Sequence, residues 1–448
     1  MTGLILALFP HFVSACKVTA TSGDFDLRSR SKAARNQQAL ADASKNIEKY
    51  RKGGVRLIII DGQGRPAAIS KVRIKQATHD FAFGCYLKID DLPPDKLQSY
   101  KNYFGRLFNY AVVGNYWNFV EGAEGVENTS WVDRETALAL ELGSRVQGAP
   151  VLWGTNEAGS PRWLPQTRSA LLPILEKRVR STVSRWTNAV GDWEIINEPL
   201  SPTEDVFAKV AGEDYISSAF TWARQSAPDK RLILNEYGVF GSIDTNNYNR
   251  DKYYQLARTL LEKGTPIDVI GIQAHAKGEW YEPANVADEL NRYASLGKPL
   301  QITEFSAQTL DYDDRVTPAP IYGSYRSGVW SQEKQAEFYR EFYTISFGNP
   351  QVEAIVTWGL DDERAWLPGI GLLDAAGNPK ASYAMLDKLI NQDWKTSVKG
   401  TTNNLGQLDF RGFFGKYQVE VETSSKQTKV FTFVLEKGKT NEWTVRLT

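Results

Sequence analysis

Two glutamates stand where apolar runs stop abruptly, and a pair of carboxyls so placed can break an acetal bond. The first lies in Asp192-Trp-Glu-Ile-Ile-Asn-Glu-Pro199, where Pro199 cannot continue a central strand, so Glu198 projects from its end. The second is Glu304, at the end of Leu300-Gln-Ile-Thr-Glu-Phe305. Cleavage of a glycosidic bond with retention needs one carboxyl to protonate the leaving oxygen and another to attack the anomeric carbon, roughly 5–5.5 Å apart. Two strands on opposite sides of one narrow barrel, each ending in Glu, meet that need. Read singly, either residue is equally a solvated strand end or a structural carboxylate paired with arginine.

The elements that must carry these residues are legible as a repeating pattern. Short apolar runs at Phe81–Cys85, Tyr110–Val113, Val146–Trp153, Trp193–Ile196, Leu232–Leu234, Val269–Gln273, Leu300–Thr303 and Ala354–Trp358 alternate with helical segments such as Leu171–Trp186 and Tyr253–Lys263. Eight such units predict a (β/α)8 TIM barrel over residues 79–392, in which the strand C-termini build the active site. Before it, residues 17–30 read as a polar tether and Ser31 to Lys52 as a helix. Val55–Ile60 and Lys71–Gln76 read as the two strands of a β-hairpin, completing a unit over 17–78. After it, residues 393–448 alternate like strands of a small all-β module. Its aromatics Phe410, Phe413, Phe414, Tyr417 and Trp443 suit a core better than a sugar-binding face.

The extreme N-terminus, residues 1–16, has the apolar run Leu4–Phe9 followed by Val13-Ser-Ala-Cys16. The run is too short to span a bilayer but suits a signal peptide. Val-Ser-Ala-Cys resembles a bacterial lipobox, so Cys16 is a lipidation candidate, and the chain is expected to be exported, as a cell-surface lipoprotein or a secreted protein. The basic segment usual before such a run is missing. A disulfide with Cys85 is the weaker alternative.

Composition narrows the function classes. With 53 basic and 53 acidic residues the net charge is zero, which excludes the electrostatic footprint of nucleic-acid binding. Three histidines and two cysteines without ligand spacing give no expectation of a metal or cofactor. Aromatics are abundant, at 13 Trp, 20 Tyr and 20 Phe, which fits stacking on sugar rings and fits a large core equally.

Trp193-Glu-Ile-Ile-Asn-Glu-Pro199, Leu234-Asn-Glu-Tyr237, Gly271-Ile-Gln-Ala-His275, Ile302-Thr-Glu304 and Val356-Thr-Trp358 together resemble glycoside hydrolase family 10, the xylanase family of clan A. The likeness runs over about residues 79–390 in the right order. It implies Glu198 as acid/base and Glu304 as nucleophile. It further implies Asn197 as donor to the 2-hydroxyl of the attacked sugar, His275 as support for Glu304, and Gln273 as support for Glu198. Asn115, Trp153, Tyr237, Trp358 and Trp366 would contact the substrate, a xylan or related β-glycan. No cofactor is implied.

The chain departs from the family where sugars on the non-reducing side would bind. Gly114 stands for the family's glutamate, Asn118 for its lysine, Ala149 for its histidine, and Ser306 for the aspartate that supports the histidine. The expected chemistry is therefore intact while the substrate preference is open. It includes decorated xylan, an exo-acting β-glycosidase activity, and a catalytically dead carbohydrate-binding protein.

Overall fold

The computed structural model describes residues 22–447, apart from 91, 156, 201–204, 242–247, 324 and 423–426. The expected signal segment, the lipidation candidate Cys16 and residues 17–21 of the expected tether lie outside the described residues.

Eight parallel strands close into a barrel. In order around it they are β3 (Ala82–Leu87), β4 (Tyr110–Gly114), β5 (Arg145–Ala149), β6 (Asp192–Asn197), β7 (Arg231–Glu236), β8 (Val269–Ala276), β9 (Leu300–Ala307) and β10 (Val352–Thr357), which returns to β3. All eight coincide with the apolar runs of the sequence. They read as continuous apolar stretches because both faces are covered, inward by facing strands and outward by helices. β9 is buried along its whole length. Near the floor the interior is polar but self-satisfied: Gln301 donates to Gln147 at 2.9 Å and to the Tyr110 hydroxyl at 3.1 Å, and Tyr110 donates to Asp192.

The expected N-terminal hairpin does not form. β1 (Lys52–Ile60) and β2 (Lys71–His79) belong to different sheets. β1 lies between β12 (Gln407–Phe413), antiparallel, and β15 (Asn441–Arg446), parallel. β2 lies between β11 (Ser397–Thr401) and β13 (Gly415–Glu422), with β14 (Thr428–Leu435) outside β13. The physical reason is that each strand has one apolar face. A hairpin would set Val55, Leu57 and Ile59 beside Val72 and Ile74 on a single uncovered surface. Crossing to a second sheet buries them against each other, with Tyr417, Val419, Leu435 and Trp443. The N-terminal strands and the C-terminal module are thus one β-sandwich. Its aromatics are core: Tyr417, Phe413 and Trp443 are buried, and Phe433 stacks on Trp443 at 5.1 Å.

The expected tether over 17–30 is also shorter, because the helix begins at Ser22 and runs to Tyr50. Its proline-free N-terminal stretch extends a helix already fixed by packing further along. Ala43 meets the backbone of Gly348 so closely that a Cβ at 348 would lie 2.7 Å from the Ala43 carbonyl oxygen. Just beyond this helix, the Arg51 guanidinium donates to the carbonyls of Phe347, Asn349 and Val352 and caps the C-terminal end of helix Gln332–Gly348. The barrel and sandwich meet at the floor. There His79 contacts the Ile390 carbonyl at 3.1 Å, and burial pushes its pKa down to about 4. Its structural placement, away from the barrel mouth, agrees with its position at the entry to β3.

Candidate active site

β6 ends at Asn197, and Glu198 follows in the left-handed region with φ of 52°. That conformation costs a non-glycine residue about 1–3 kcal/mol, and a residue before proline ordinarily stays extended. The Glu198 amide, donating to the Asn235 carbonyl at 3.0 Å, helps hold the turn. It directs the carboxyl across the barrel mouth. Glu304 stays within β9, almost wholly buried.

The two carboxyls are joined by a continuous line of side-chain amides. Gln273 Nε2 donates to Glu198 Oε1 at 2.8 Å and to Asn197 Oδ1 at 3.2 Å. Asn235 Nδ2 donates to the same Asn197 oxygen and to Glu304 Oε1, both at 3.0 Å. Thr303 in turn donates to Asn235 Oδ1 at 2.6 Å. With its oxygen accepting twice, Asn197 keeps its NH2 group without a protein partner among the described residues. The other Glu304 oxygen faces His275 Nε2 at 3.0 Å, and His275 Nδ1 lies 2.8 Å from the Ser306 hydroxyl. A carboxylate accepts, so Nε2 carries a proton toward Glu304, while Nδ1 shares a hydrogen bond with the Ser306 hydroxyl, and the ring is held from both sides.

Burial is the main cause that lifts the Glu198 pKa, to about 7, and the neighbouring Glu304 adds to the rise. Donors Gln273 and Trp153 and the cation of Lys277 oppose it. Desolvation thus leads and like-charge repulsion follows. A third carboxyl, Glu194, lies buried on β6, its pKa held far above the usual range by burial and then by Glu304 and Glu198.

The remaining expected residues fall into two groups. Trp358 and Trp366 flank His275, the latter 4.9 Å away in an edge contact, and Lys277 lies over the Trp366 ring at 5.2 Å. Tyr237 and Trp366 are 42% and 44% exposed, open to solvent at the mouth. Trp153 donates its indole N–H to Glu198 Oε2 at 3.0 Å. Asn115 is different: it is 0% exposed and neither side-chain polar atom has a partner, so in this structure it does not face the cleft. Glu236 is likewise fully buried, accepting from the amides of Leu200 and Tyr237, which makes it structural. Among the described residues no group of His, Cys, Asp and Glu is arranged to hold a metal. Cys85 is a buried free thiol.

Sequence reasoning gave no role to Asn235, Glu194 or the Trp153 N–H. Asn235 sits one residue before the strand end in Leu234-Asn-Glu-Tyr237, and a polar residue inside an apolar run was the available signal.

A parallel barrel with two carboxyls at the C-terminal ends of its strands has the arrangement that a glycoside hydrolase needs. The sequence profile of Glycosyl hydrolase family 10 matches residues 74–388, and the chain belongs to that family. It is 30% identical over 311 residues to endo-1,4-beta-xylanase B of Thermotoga neapolitana, covering 66% of this chain and 85% of that protein. It is 29% identical to a beta-1,4-xylanase of Dictyoglomus thermophilum over 303 residues, covering 63% and 82% of the two chains. Xylanase 10B from Thermotoga petrophila, solved with xylobiose, superposes with a TM-score of 0.59 at 26% identity, covering 70% of this chain and 95% of that one.

Proposed function

We propose that this glycoside hydrolase cleaves a β-1,4-linked xylan or a closely related β-glycan by double displacement. Glu198 is the acid/base and Glu304 the nucleophile. The observation that carries the reading is the amide line Gln273–Asn197–Asn235, which fixes one carboxyl at each end, together with the elevated Glu198. The substrate class rests on the xylanase names of its relatives.

Protonated Glu198 gives its proton to the glycosidic oxygen as a Glu304 oxygen bonds to the anomeric carbon and the C–O bond breaks. The aglycone leaves as an alcohol. Glu198, now ionised, takes a proton from water, whose oxygen displaces Glu304 and restores both carboxyls. The two inversions return the original anomer. Asn197, with its NH2 unpaired, donates to the 2-hydroxyl, and His275 and Asn235 hold Glu304 by one oxygen each, so that it attacks from a fixed rotamer.

The test follows the anomeric proton by NMR during hydrolysis of an aryl β-xyloside. The β-anomer is expected first, with the α-anomer appearing only by mutarotation. First appearance of the α-anomer overturns the mechanism, and absence of turnover on any β-glycoside favours a binding protein instead.

A further inference from the structure

β8 ends at Ala276, and the residue that follows it at the barrel mouth is a lysine, Lys277. The turn that carries it is tight. The Lys277 and Gly278 amides donate to the carbonyls of His275 and Ala276, at 3.1 and 2.9 Å. Gly278 takes a φ of 81°, and Tyr322 packs so closely that a Cβ at 278 would lie 2.9 Å from its ring. The backbone at 277 is thereby fixed two residues from His275, whose Nε2 faces Glu304 at 3.0 Å.

The side chain is exposed and reaches along the cleft. Its ammonium lies 5.2 Å from the centroid of the Trp366 ring, and that ring meets His275 edge-on at 4.9 Å. Lys277, Trp366, His275 and Glu304 thus make a chain of contacts from solvent to the proposed nucleophile. Among the described residues no carboxylate forms an ion pair with Lys277. The face of the indole attracts a cation only modestly at an exposed site, and an ammonium has three N–H donors to offer. It is therefore open to an anion.

The chemistry of that anion follows from the substrate. Uncharged donors satisfy the hydroxyls of a neutral sugar, whereas a carboxylate gains a charge-assisted bond from an ammonium. The β-1,4-linked backbone proposed above is itself neutral, so a carboxylate that reaches Lys277 is carried on a branch. A backbone sugar lying against Trp366 brings such a branch beside the ammonium.

We propose that Lys277 is a specificity-determining residue that binds the carboxylate of a uronosyl branch, so that the preferred substrate is an acidic, uronate-substituted β-xylan. Trp366 supports the backbone sugar, and Lys277 reads the charge of its substituent. This inference rests on the xylan reading of the proposed function and adds to it the substituent that the cleft selects.

The test uses the full chain on glucuronoxylan and on the same polymer after chemical reduction of its uronates to neutral glucosyl branches, which removes the charge and keeps the shape. Assays run at pH about 5.5, below the Glu198 pKa of about 7, where a uronate is ionised. The wild type is expected to lose about fivefold in kcat/KM on the reduced polymer, chiefly through KM, and the difference should shrink as sodium chloride is raised. Lys277→Met should cleave the two polymers equally well, and Lys277→Arg, which keeps the charge, should keep the preference. A lysine that acted only on the protonation of Glu198 would change both polymers together and leave their ratio untouched. In the wild type, equal rates or faster cleavage of the reduced polymer overturn the proposal. So does a preference that survives in Lys277→Met. Turnover of an aryl β-xyloside with neither polymer cleaved also overturns it, and leaves the catalytic assignment standing. Inactivity on the aryl β-xyloside and on both polymers overturns the xylan reading, and this proposal with it.

Discussion

Trp153 donates its indole N–H to Oε2 of Glu198 at 3.0 Å, so a residue with the look of a sugar platform is bonded to the proposed acid itself. The contact favours the ionised carboxylate and opposes the burial that raises Glu198 to about 7. Trp153→Phe keeps an apolar ring but removes the donor. The Glu198 pKa then rises, and the acid stays protonated to higher pH. The alkaline limb of the kcat/KM profile, which should fall near pH 7 in the wild type, is expected to move upward in the variant.

Lys277 acts on the same carboxyl through space. Its cation lowers the Glu198 pKa, so Lys277→Met should also displace the alkaline limb to higher pH. Lys277 is exposed, so salt screens its field, unlike the direct bond from Trp153. The displacement caused by Lys277→Met should shrink as sodium chloride is raised, whereas that of Trp153→Phe should persist. pH profiles at two ionic strengths separate them.

Ser306 orients His275, which orients Glu304. Ser306→Ala leaves Nδ1 without its hydrogen-bond partner and frees the ring to turn. The loss of one such hydrogen bond is worth about 1 kcal/mol, so kcat should fall about five- to tenfold with little change in KM. Ser306→Thr restores the hydroxyl and should restore most of the rate.

The sandwich predicts a failure that an appended module would not show. Removing residues 397–447 strips both neighbours from β1 and all three other strands of the β2 sheet. Leu57, Ile59 and Ile74 lose their cover, and the truncated protein should be insoluble. Trp443→Ala, a milder probe of the same core, should destabilise the sandwich by ~3–5 kcal/mol, measured by denaturant unfolding. Its effect on kcat should be small, because the sandwich lies at the barrel floor.

The barrel was legible because each strand is a continuous apolar run, and the two glutamates because each stands at or near the end of one. The expected roles of Gln273 and His275 came from the family resemblance; the structure sets Gln273 against Glu198 and His275 against Glu304. The stacking of Trp358 on Tyr86 was not legible, because the two rings meet only when β10 closes the barrel against β3. Asn115 matched a sugar-binding motif by sequence, yet in the folded chain it is fully buried with its amide unpartnered, which the motif does not reveal. The sandwich was misread for a similar reason. Alternation reveals that a strand has one apolar face and leaves unstated which sheet will cover it.

The most direct test of the mechanism is mass spectrometry of the enzyme trapped with an activated 2-deoxy-2-fluoro-β-xyloside, followed by peptide mapping of the adduct. The fluorine slows breakdown of the glycosyl-enzyme, so the sugar should remain ester-linked, one per chain, on the peptide carrying Glu304. An adduct on Glu198 or on any other residue, or turnover without any covalent species, would contradict the assignment of Glu304 as the nucleophile.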